Sequence, residues 1–179
     1  MIVRDMLPEE AAEVGELRVA AYRAEDLLSV HPPYTEVLRR LGSGGKGEIL
    51  VAAHAAGDAS DVDAAADPGG GPGTAPALLG TVMIEPWTPN SEVARGAHET
   101  EVRALAVAPQ ARGRGVARAL MAEVERRAAA RGADRIVLST QPAMAAAQRL
   151  YTSRGFTRLP DRDWSPIPGF TLLAYGKDL

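Results

Sequence analysis

The 179-residue sequence contains no cysteine. Disulfide bonds, thiolate metal sites and a cysteine nucleophile are therefore excluded. The sequence also has no excess of basic residues, because 20 Lys and Arg stand against 23 Asp and Glu and give a formal net charge of −3. Nucleic-acid-binding domains are usually basic, so this balance argues against a nucleic-acid partner. No run of like charges predicts a membrane-surface patch.

Long hydrophobic runs are missing as well. The longest apolar segment is far shorter than the roughly 20 residues of a membrane-spanning helix. The first ten residues mix acidic and basic side chains with apolar ones, which is not the pattern of a signal peptide. His31, His54 and His98 are scattered, and no pair has metal-ligand spacing. These absences predict a cytoplasmic protein without a metal cofactor and without a membrane partner.

The length and the 46% apolar fraction are those of one ordinary domain, which we expect to span residues 1–179. Residues 55–77 differ from their surroundings, because they consist almost entirely of Ala, Gly, Asp and Pro. Such a segment buries too little apolar surface to offset the entropy of ordering it. We therefore predict a flexible low-complexity insertion, and both a functional lid and a tolerated loop remain open.

Hydrophobic spacing and turn residues predict the remaining elements. Helices are predicted at 8–24, 34–41, 113–131 and 142–154. Strands are predicted at 2–3, 49–53, 78–85, 99–108, 135–140, 156–159 and 170–175. Strands alternate with helices in the second half, which indicates a partly parallel α/β sheet.

The most informative stretch is a glycine-containing turn between a predicted strand and a predicted helix. Gly113 and Gly115 would let the backbone approach a ligand closely, and the first amides of the helix would point outward without an internal partner. The helix dipole reinforces such a site for anions, and phosphates bind there readily. The Walker pattern and the dinucleotide fingerprint both fail, because no Gly-Lys-Ser/Thr and no third glycine follow. The alternatives are a short pyrophosphate-binding turn and a plain strand-to-helix turn with solvated arginines.

Two motifs together resemble the GNAT superfamily of acetyltransferases. Gln110-Ala111-Arg112-Gly113-Arg114-Gly115 matches every fixed position of its Gln/Arg-x-x-Gly-x-Gly/Ala motif, and the segment from Ala147 to Phe156 is similar to its Leu-Tyr…Gly-Phe signature. The resemblance implies a single α+β (mixed α/β) domain of GNAT-like fold, with a mixed, mostly antiparallel sheet of about seven strands and helices on both faces. It also implies that acetyl-CoA donates an acetyl group to a primary amine, of a small molecule or of a peptide, by direct attack in a ternary complex. Homodimers are frequent in this superfamily.

The resemblance further implies roles for individual residues. The backbone amides of the turn would bind the pyrophosphate, and the end of the preceding strand would pair with the pantetheine arm. The implied cofactor-binding residues are Leu105, Ala106, Val107, Gln110, Arg112, Gly113, Arg114, Gly115, Val116 and Ala117. Tyr151 occupies the general-acid position, where it would protonate the departing thiolate. Glu101 occupies the position of the carboxylate that accepts the amine's proton, and Glu99 lies on the same strand face as a second candidate.

Several positions leave alternatives open. Met144 stands where many relatives have an asparagine that contacts the pantetheine arm, and Gln141 or Gln148 are candidate substitutes. Trp87 and Trp164 either border the acceptor site or cover the core, and His98 either contacts substrate or is solvated. A non-catalytic acyl-CoA sensor of the same fold is the main alternative function. A nucleotide-binding module is less consistent with the sequence, which lacks every residue for magnesium or ribose.

Overall fold

The computed structural model describes residues 1–42, 44–45, 47–55 and 78–179. The insertion predicted at 55–77 therefore lies outside the described residues, apart from its first position. Four α-helices and eight strands occur in the described ranges. The helices are α1 (Ala11–Arg23), α2 (Tyr34–Arg40), α3 (Val116–Ala130) and α4 (Ala145–Ser153). The strands are β1 (Ile2–Asp5), β2 (Glu48–Ala53), β3 (Gly80–Pro86), β4 (Glu99–Val107), β5 (Arg135–Thr140), β6 (Thr157–Arg158), β7 (Trp164–Ile167) and β8 (Phe170–Asp178).

The strands form one open sheet in the order β1-β2-β3-β4-β5-β8-β6, and β7 pairs with β8. Only β4 and β5 are parallel; all other neighbouring pairs are antiparallel. The structure thus confirms the mixed, mostly antiparallel sheet. It has eight strands where about seven were expected, and the additional strand is β7.

The sequence analysis predicted no strand where β7 lies. Trp164 pairs with Leu172 and Ile167 pairs with Phe170, so the segment is the first arm of a hairpin. Proline cannot donate a ladder hydrogen bond and is tolerated chiefly in edge strands. Pro166 occupies such a strand, because β7 has β8 as its only strand partner in the described part of the chain.

The main core lies between the sheet and helices α1 and α3. Val14 of α1 and Leu120 and Val124 of α3 are almost completely buried against apolar residues of the central strands. Burying a side chain of this size contributes about 1.5–3 kcal/mol. Gly80 of β3 permits the close approach of α3, because a Cβ atom there would lie 2.8 Å from the Cγ1 atom of Val116. The first turn of α3 is therefore fixed directly against the sheet.

Helices α1 and α2 are joined by a buried arginine. One terminal nitrogen of Arg18 donates a hydrogen bond of 2.7 Å to the carbonyl oxygen of Leu41, just after α2. Its Nε and other terminal nitrogen have no partner among the described residues. Burial lowers the pKa of the guanidinium to about 10, and the nearby Tyr22 and Tyr34 counteract this effect. Arg18 thus joins α1 to the end of α2, and both helices contribute side chains to the site described below.

Candidate active site

The site lies where the two parallel strands separate. Strand β4 pairs with β5 only from Glu99 to Val102, opposite Arg135 to Leu138. Beyond that point Ser139 and Thr140 of β5 pair with β8 alone. The second half of β4 therefore leaves its backbone groups on the β5 side without a strand partner.

A β-bulge interrupts β4 at the same place. Thr81 of β3 pairs with Ala106, and Met83 pairs with Arg103. One residue therefore lies between the paired positions on β3, whereas two lie between them on β4. Ala104, one of these two, has a φ of 49°, which is unfavourable for a residue with a Cβ atom. Such strained positions cluster at functional sites. The bulge lies next to the end of the β4–β5 pairing and directs Leu105 towards two neighbouring cavities.

The first cavity, which we call the glycine-turn cavity, has a volume of about 480 Å³. It lies between the end of β4, the start of α3 and the first turns of α4. Eight of the ten residues expected to bind the cofactor line it: Leu105, Ala106, Val107, Arg112, Gly113, Gly115, Val116 and Ala117. The other two, Gln110 and Arg114, are exposed and do not line it.

The turn at the end of this cavity has the geometry of an anion site. Gly113 and Gly115 have φ values of 74° and 80°, and a Cβ atom added at either would meet nothing within 4 Å. Gly115 is the N-cap of α3, and no side chain caps this helix. The first amides of α3 therefore point outward with the positive end of the helix dipole behind them. These residues fit a pyrophosphate group.

Arg112 connects the turn to α1 across the mouth of the glycine-turn cavity. Its guanidinium donates a hydrogen bond of 3.0 Å to the carbonyl oxygen of Ala21 and forms an ion pair of 3.0 Å with Glu25. Arg118, in the first turn of α3, also lines the cavity. Two arginine side chains therefore line the cavity that contains the exposed amides, and one of them is paired with Glu25.

The second cavity, which we call the aromatic cavity, has a volume of about 200 Å³. Its wall contains five of the aromatic side chains: Tyr22, Tyr34, Tyr151, Trp164 and Phe170. Leucine, valine and proline side chains also line it. Four residues, Tyr22, Leu27, Leu105 and Met144, line both cavities. The two cavities thus meet at the bulge of β4.

Met144 occupies this shared wall, and its sulfur atom accepts a hydrogen bond of 3.4 Å from the Thr140 hydroxyl. Gln141 and Gln148 are the candidate substitutes for the asparagine that many relatives have at the position of Met144. Gln141 is buried and lines the aromatic cavity, and its side-chain amide donates a hydrogen bond to the carbonyl oxygen of Leu27. Gln148 lines neither cavity, because its amide group bonds the carbonyl oxygens of Gln141 and Pro142. Only Gln141 is therefore placed to contact a ligand.

Tyr151 lies on α4 and is 5% exposed. Its ring packs against Phe156 and Tyr175, with centroid distances of 5.8 and 6.1 Å. Burial raises the pKa of the hydroxyl well above its usual range. No described residue hydrogen-bonds this hydroxyl, and the side chain lines the aromatic cavity. Tyr151 is therefore a protonated donor that is available to a ligand.

The two carboxylates expected on β4 hold a loop in place. One Glu101 oxygen accepts hydrogen bonds of 3.1 Å from the backbone amides of both Val93 and Ala94. Glu99 accepts one of 2.7 Å from the amide of Arg95 and is paired with Arg162 at 2.8 Å. Both glutamates are 2% exposed, and neither lines either cavity.

The loop held in this way carries a carboxylate that the sequence analysis missed. Glu92 lines the aromatic cavity and forms an ion pair with Arg103, which also binds Glu85. Burial raises the pKa of Glu92, and Arg103 counteracts part of this effect. No motif marks Glu92; the only signal was its place shortly after Trp87, for which a position beside the acceptor site was one of two alternatives.

The remaining candidates separate into two groups. Trp164 lines the aromatic cavity, and its indole nitrogen lies 3.3 Å from the Ser139 hydroxyl. His31, which the sequence analysis did not single out, also lines it and stacks on Tyr34 at 6.3 Å. Trp87 and His98 are exposed and line neither cavity.

Among the residues that the structure describes, no cluster of three or more histidine, aspartate or glutamate side chains could hold a metal ion. In the same ranges no helix combines the length and the apolar character that crossing a membrane requires.

Comparisons with known proteins agree with this architecture. Residues 68–156 match the model of the acetyltransferase (GNAT) family. A GNAT-family acetyltransferase from Staphylococcus aureus Mu50 is similar in structure, with 14% identity, a TM-score of 0.68 and coverage of 99% of this chain and 98% of that one. Ribosomal-protein-alanine N-acetyltransferase from Brucella melitensis has 20% identity, a TM-score of 0.63 and full coverage of both chains.

A third similar structure is the PaiA N-acetyltransferase of Thermoplasma acidophilum in complex with coenzyme A, with 13% identity, a TM-score of 0.65 and coverage of 99% and 98%. A search of curated proteins finds no match. Identities this low show the shared fold alone, and the family model adds the sequence match. The chain belongs to the GNAT family of acetyltransferases.

Proposed function

We propose that the protein transfers an acetyl group from acetyl-CoA to a primary amine by direct attack while both substrates are bound. The observation that carries this proposal is the contact between the two cavities at Leu105. One cavity ends at the uncapped amides of α3, and the other contains the protonated hydroxyl of Tyr151. A phosphate-bearing donor and an acceptor can therefore meet at the bulge of β4.

Residues of the glycine-turn cavity would hold the donor. The amides from Gly113 to Ala117 would bind the pyrophosphate, with Arg112 and Arg118 adding positive charge. The unpaired backbone groups of Leu105 to Val107 would bind the pantetheine arm as a further strand would. A donor amide near Val107 would also polarise the thioester carbonyl. Bound acetyl-CoA supplies the activated thioester, and the similar structure solved with coenzyme A supports this choice of donor.

The chain would supply two proton-transfer groups. An alkyl amine with a pKa near 10.4 is almost wholly protonated at pH 7, and its deprotonation costs about 4–5 kcal/mol. The resemblance implies that Glu101 accepts the proton of the amine. That role stays a prediction, since the Glu101 carboxylate accepts hydrogen bonds from the amides of Val93 and Ala94. Tyr151 would donate its proton, or a hydrogen bond, to the departing sulfur.

An amine acceptor is consistent with the names of similar proteins. Two of them are ribosomal-protein-alanine N-acetyltransferases, from Brucella melitensis and Escherichia coli. Assembly as a homodimer, expected from the resemblance, also stays a prediction, and sedimentation equilibrium would test it.

Thermal unfolding tests the donor directly. With acetyl-CoA at about one hundred times its dissociation constant, the folded state gains about 2.7 kcal/mol. For a domain of this size the unfolding midpoint should rise by about 5–10 °C. ADP and NAD at the same concentration are the controls. An equal rise with NAD would contradict the assignment of the turn, whereas a rise with acetyl-CoA but no thiol release with any amine would favour a non-catalytic sensor.

A further inference from the structure

The acceptor side of the proposed reaction can be specified from the lining of the aromatic cavity. This inference rests on the proposed function. Among the described residues that line the cavity, Glu92 is the only carboxylate, and Arg103 is the only arginine or lysine. His31 is the one further ionisable base in the wall. A ligand with a single ammonium group therefore has a single carboxylate to meet.

The two ion pairs of Arg103 leave one negative charge without a positive partner of its own. Arg103 lies between two carboxylates, with Glu85 at 3.2 Å on one side and Glu92 on the other. Two negative groups and one positive group leave a net charge of −1. One bound ammonium would neutralise this cluster, whereas a second would be buried without a partner, which is strongly unfavourable.

The rest of the cavity is suited to an apolar body. Tyr34, Trp164 and Phe170 present aromatic surfaces, and Val30, Val37 and Leu172 present aliphatic ones. Removing apolar ligand surface from water in such a cavity is favourable. Aromatic faces also stabilise a nearby cation.

Glu92 is held in position by β4. Glu101 accepts hydrogen bonds from the amides of Val93 and Ala94, the two residues that follow Glu92, and both of these residues are buried. Glu99 captures the next amide, that of Arg95. Three consecutive backbone amides are thus fixed by buried carboxylates, so the loop presents Glu92 to the cavity from a rigid base. These contacts suit Glu101 to positioning Glu92, as an alternative to the proton-accepting role that the resemblance implies for Glu101 itself.

We propose that the acceptor is a primary monoamine with an aromatic or aliphatic body and that its amino group binds to the carboxylate of Glu92. The ammonium transfers one proton to Glu92, and the neutral nitrogen attacks the thioester carbonyl carbon. The carbon–nitrogen bond forms, the carbon–sulfur bond breaks, and Tyr151 provides the proton that the departing thiolate accepts. The second proton that the nitrogen loses restores the Tyr151 hydroxyl. The products are an amide and the free thiol, and the net proton released leaves through Glu92. Burial raises the pKa of Glu92, which makes it a better proton acceptor than an exposed glutamate.

The acceptor class is tested with a panel of amines. The probes are 2-phenylethylamine and n-hexylamine as monoamines, spermidine as a polyamine, and a tripeptide with an N-terminal alanine. Initial rates of thiol release at saturating acetyl-CoA give kcat/KM for each. We expect both monoamines to exceed spermidine and the tripeptide by at least tenfold. Equal or higher values for spermidine or the tripeptide overturn the proposal, and so does the absence of monoamine turnover in protein that acetyl-CoA stabilises against heat.

The role of Glu92 is tested with Glu92→Gln, which keeps the shape of the side chain and removes its charge. The matched control is Asp161→Asn, the same exchange at an exposed residue that is paired with Arg95 of the same loop and lines neither cavity. We expect kcat/KM for 2-phenylethylamine to fall at least tenfold in E92Q and by less than twofold in D161N. Stabilisation by acetyl-CoA should be unchanged in both. An E92Q protein with normal kcat/KM overturns the assignment while leaving the donor site intact.

The variant Glu101→Gln distinguishes the role of Glu101 from that of Glu92. Its amide oxygen still accepts hydrogen bonds from Val93 and Ala94, so the loop keeps its anchor. We expect kcat to fall less in E101Q than in E92Q. The effect of E101Q on the KM of the amine should be larger than its effect on kcat. A greater loss of kcat in E101Q would identify Glu101 as the proton acceptor and overturn the role given to Glu92.

Discussion

The guanidinium of Arg112 donates a hydrogen bond of 3.0 Å to the backbone carbonyl oxygen of Ala21, 91 positions earlier in the chain. Ala21 lies in the last turn of α1, where helix carbonyls lack internal partners and carry partial negative charge. The contact therefore satisfies one of these carbonyls and fixes the glycine turn relative to α1.

The first prediction concerns this arginine. Arg112→Ala should raise the KM for acetyl-CoA about tenfold, because it removes a positive charge beside the phosphate-binding amides and frees the turn from α1. The measurement is kcat/KM for acetyl-CoA at two ionic strengths, where the variant should depend less on salt. Arg126→Ala, on the exposed side of α3, is the control. A KM for R112A equal to that of the control would contradict the role of Arg112 in donor binding.

The second prediction separates backbone strain from ligand contact. Gly115 and Gly132 flank α3 with similar φ values of 80° and 74°, and a Cβ atom would meet nothing at either site. Alanine at either position should lower stability by about 1–2 kcal/mol, because the left-handed conformation is strained for a residue with a Cβ atom. Only Gly115→Ala should also raise the dissociation constant of acetyl-CoA, since only Gly115 lines the glycine-turn cavity. Calorimetric titration and urea unfolding of both variants provide the comparison, and equal affinities would show that nothing binds close to the Gly115 backbone.

The third prediction concerns the proton donor. Tyr151→Phe should lower kcat about a hundredfold without changing the affinity for acetyl-CoA, because only the hydroxyl is lost. Its stability should change little, since the ring keeps its contacts with Phe156 and Tyr175. The control is Tyr175→Phe, whose hydroxyl bonds Gln148 and lines neither cavity. Normal turnover in Y151F would remove Tyr151 from the mechanism.

The sequence predicted the parts of this site that depend on local chemistry. The glycine turn and the helix after it follow from residue types at fixed spacing, and so does Tyr151 between Leu150 and Gly155. Helices α3 and α4 begin three residues later than predicted, because the turn before α3 and the segment after β5 remain outside the helical conformation.

The rest depends on contacts between distant parts of the chain. Glu92 faces the aromatic cavity because Glu101 accepts hydrogen bonds from the amides of Val93 and Ala94, the residues after Glu92. No local sequence pattern predicts these hydrogen bonds. Strand β7 depends on pairing with β8, which outweighs the low strand propensity of Pro166. The sequence also contains no signal for where β4 and β5 separate. The pairing ends after Val102, and nothing in the residue types of Val102 and Arg103 marks that point.

A fourth prediction concerns pH and the helix that carries Tyr151. Glu125 of α3 binds Arg154, next to α4, and Lys177 of β8, each at 2.8 Å. Burial opposes its ionisation, but the hydrogen bonds from Arg154 and Lys177 outweigh burial and lower the pKa of Glu125. The stabilisation is therefore present above the pKa of a free glutamate and lost as the pH falls through the lowered value.

Glu125→Gln should thus destabilise the protein by about 1.5 kcal/mol at pH 7. The difference from the unmutated protein should shrink as the pH falls below about 4. Urea unfolding at several pH values measures this difference, with Glu36→Gln, at an exposed position of α2, as the control. A difference that stays constant down to pH 3 would show that the charge of Glu125 contributes nothing.

The bulge at Ala104 divides β4 into two segments with separate tasks. Upstream of it, Glu99, Glu101 and Arg103 bind the loop before β4, and downstream of it Leu105 to Val107 line the glycine-turn cavity. The extra residue resets the alternation of side chains, so the face that a residue presents upstream of the bulge does not fix the face presented downstream of it. Variation in the lining of the aromatic cavity can therefore accumulate in descendants of this chain while the glycine-turn cavity is inherited unchanged.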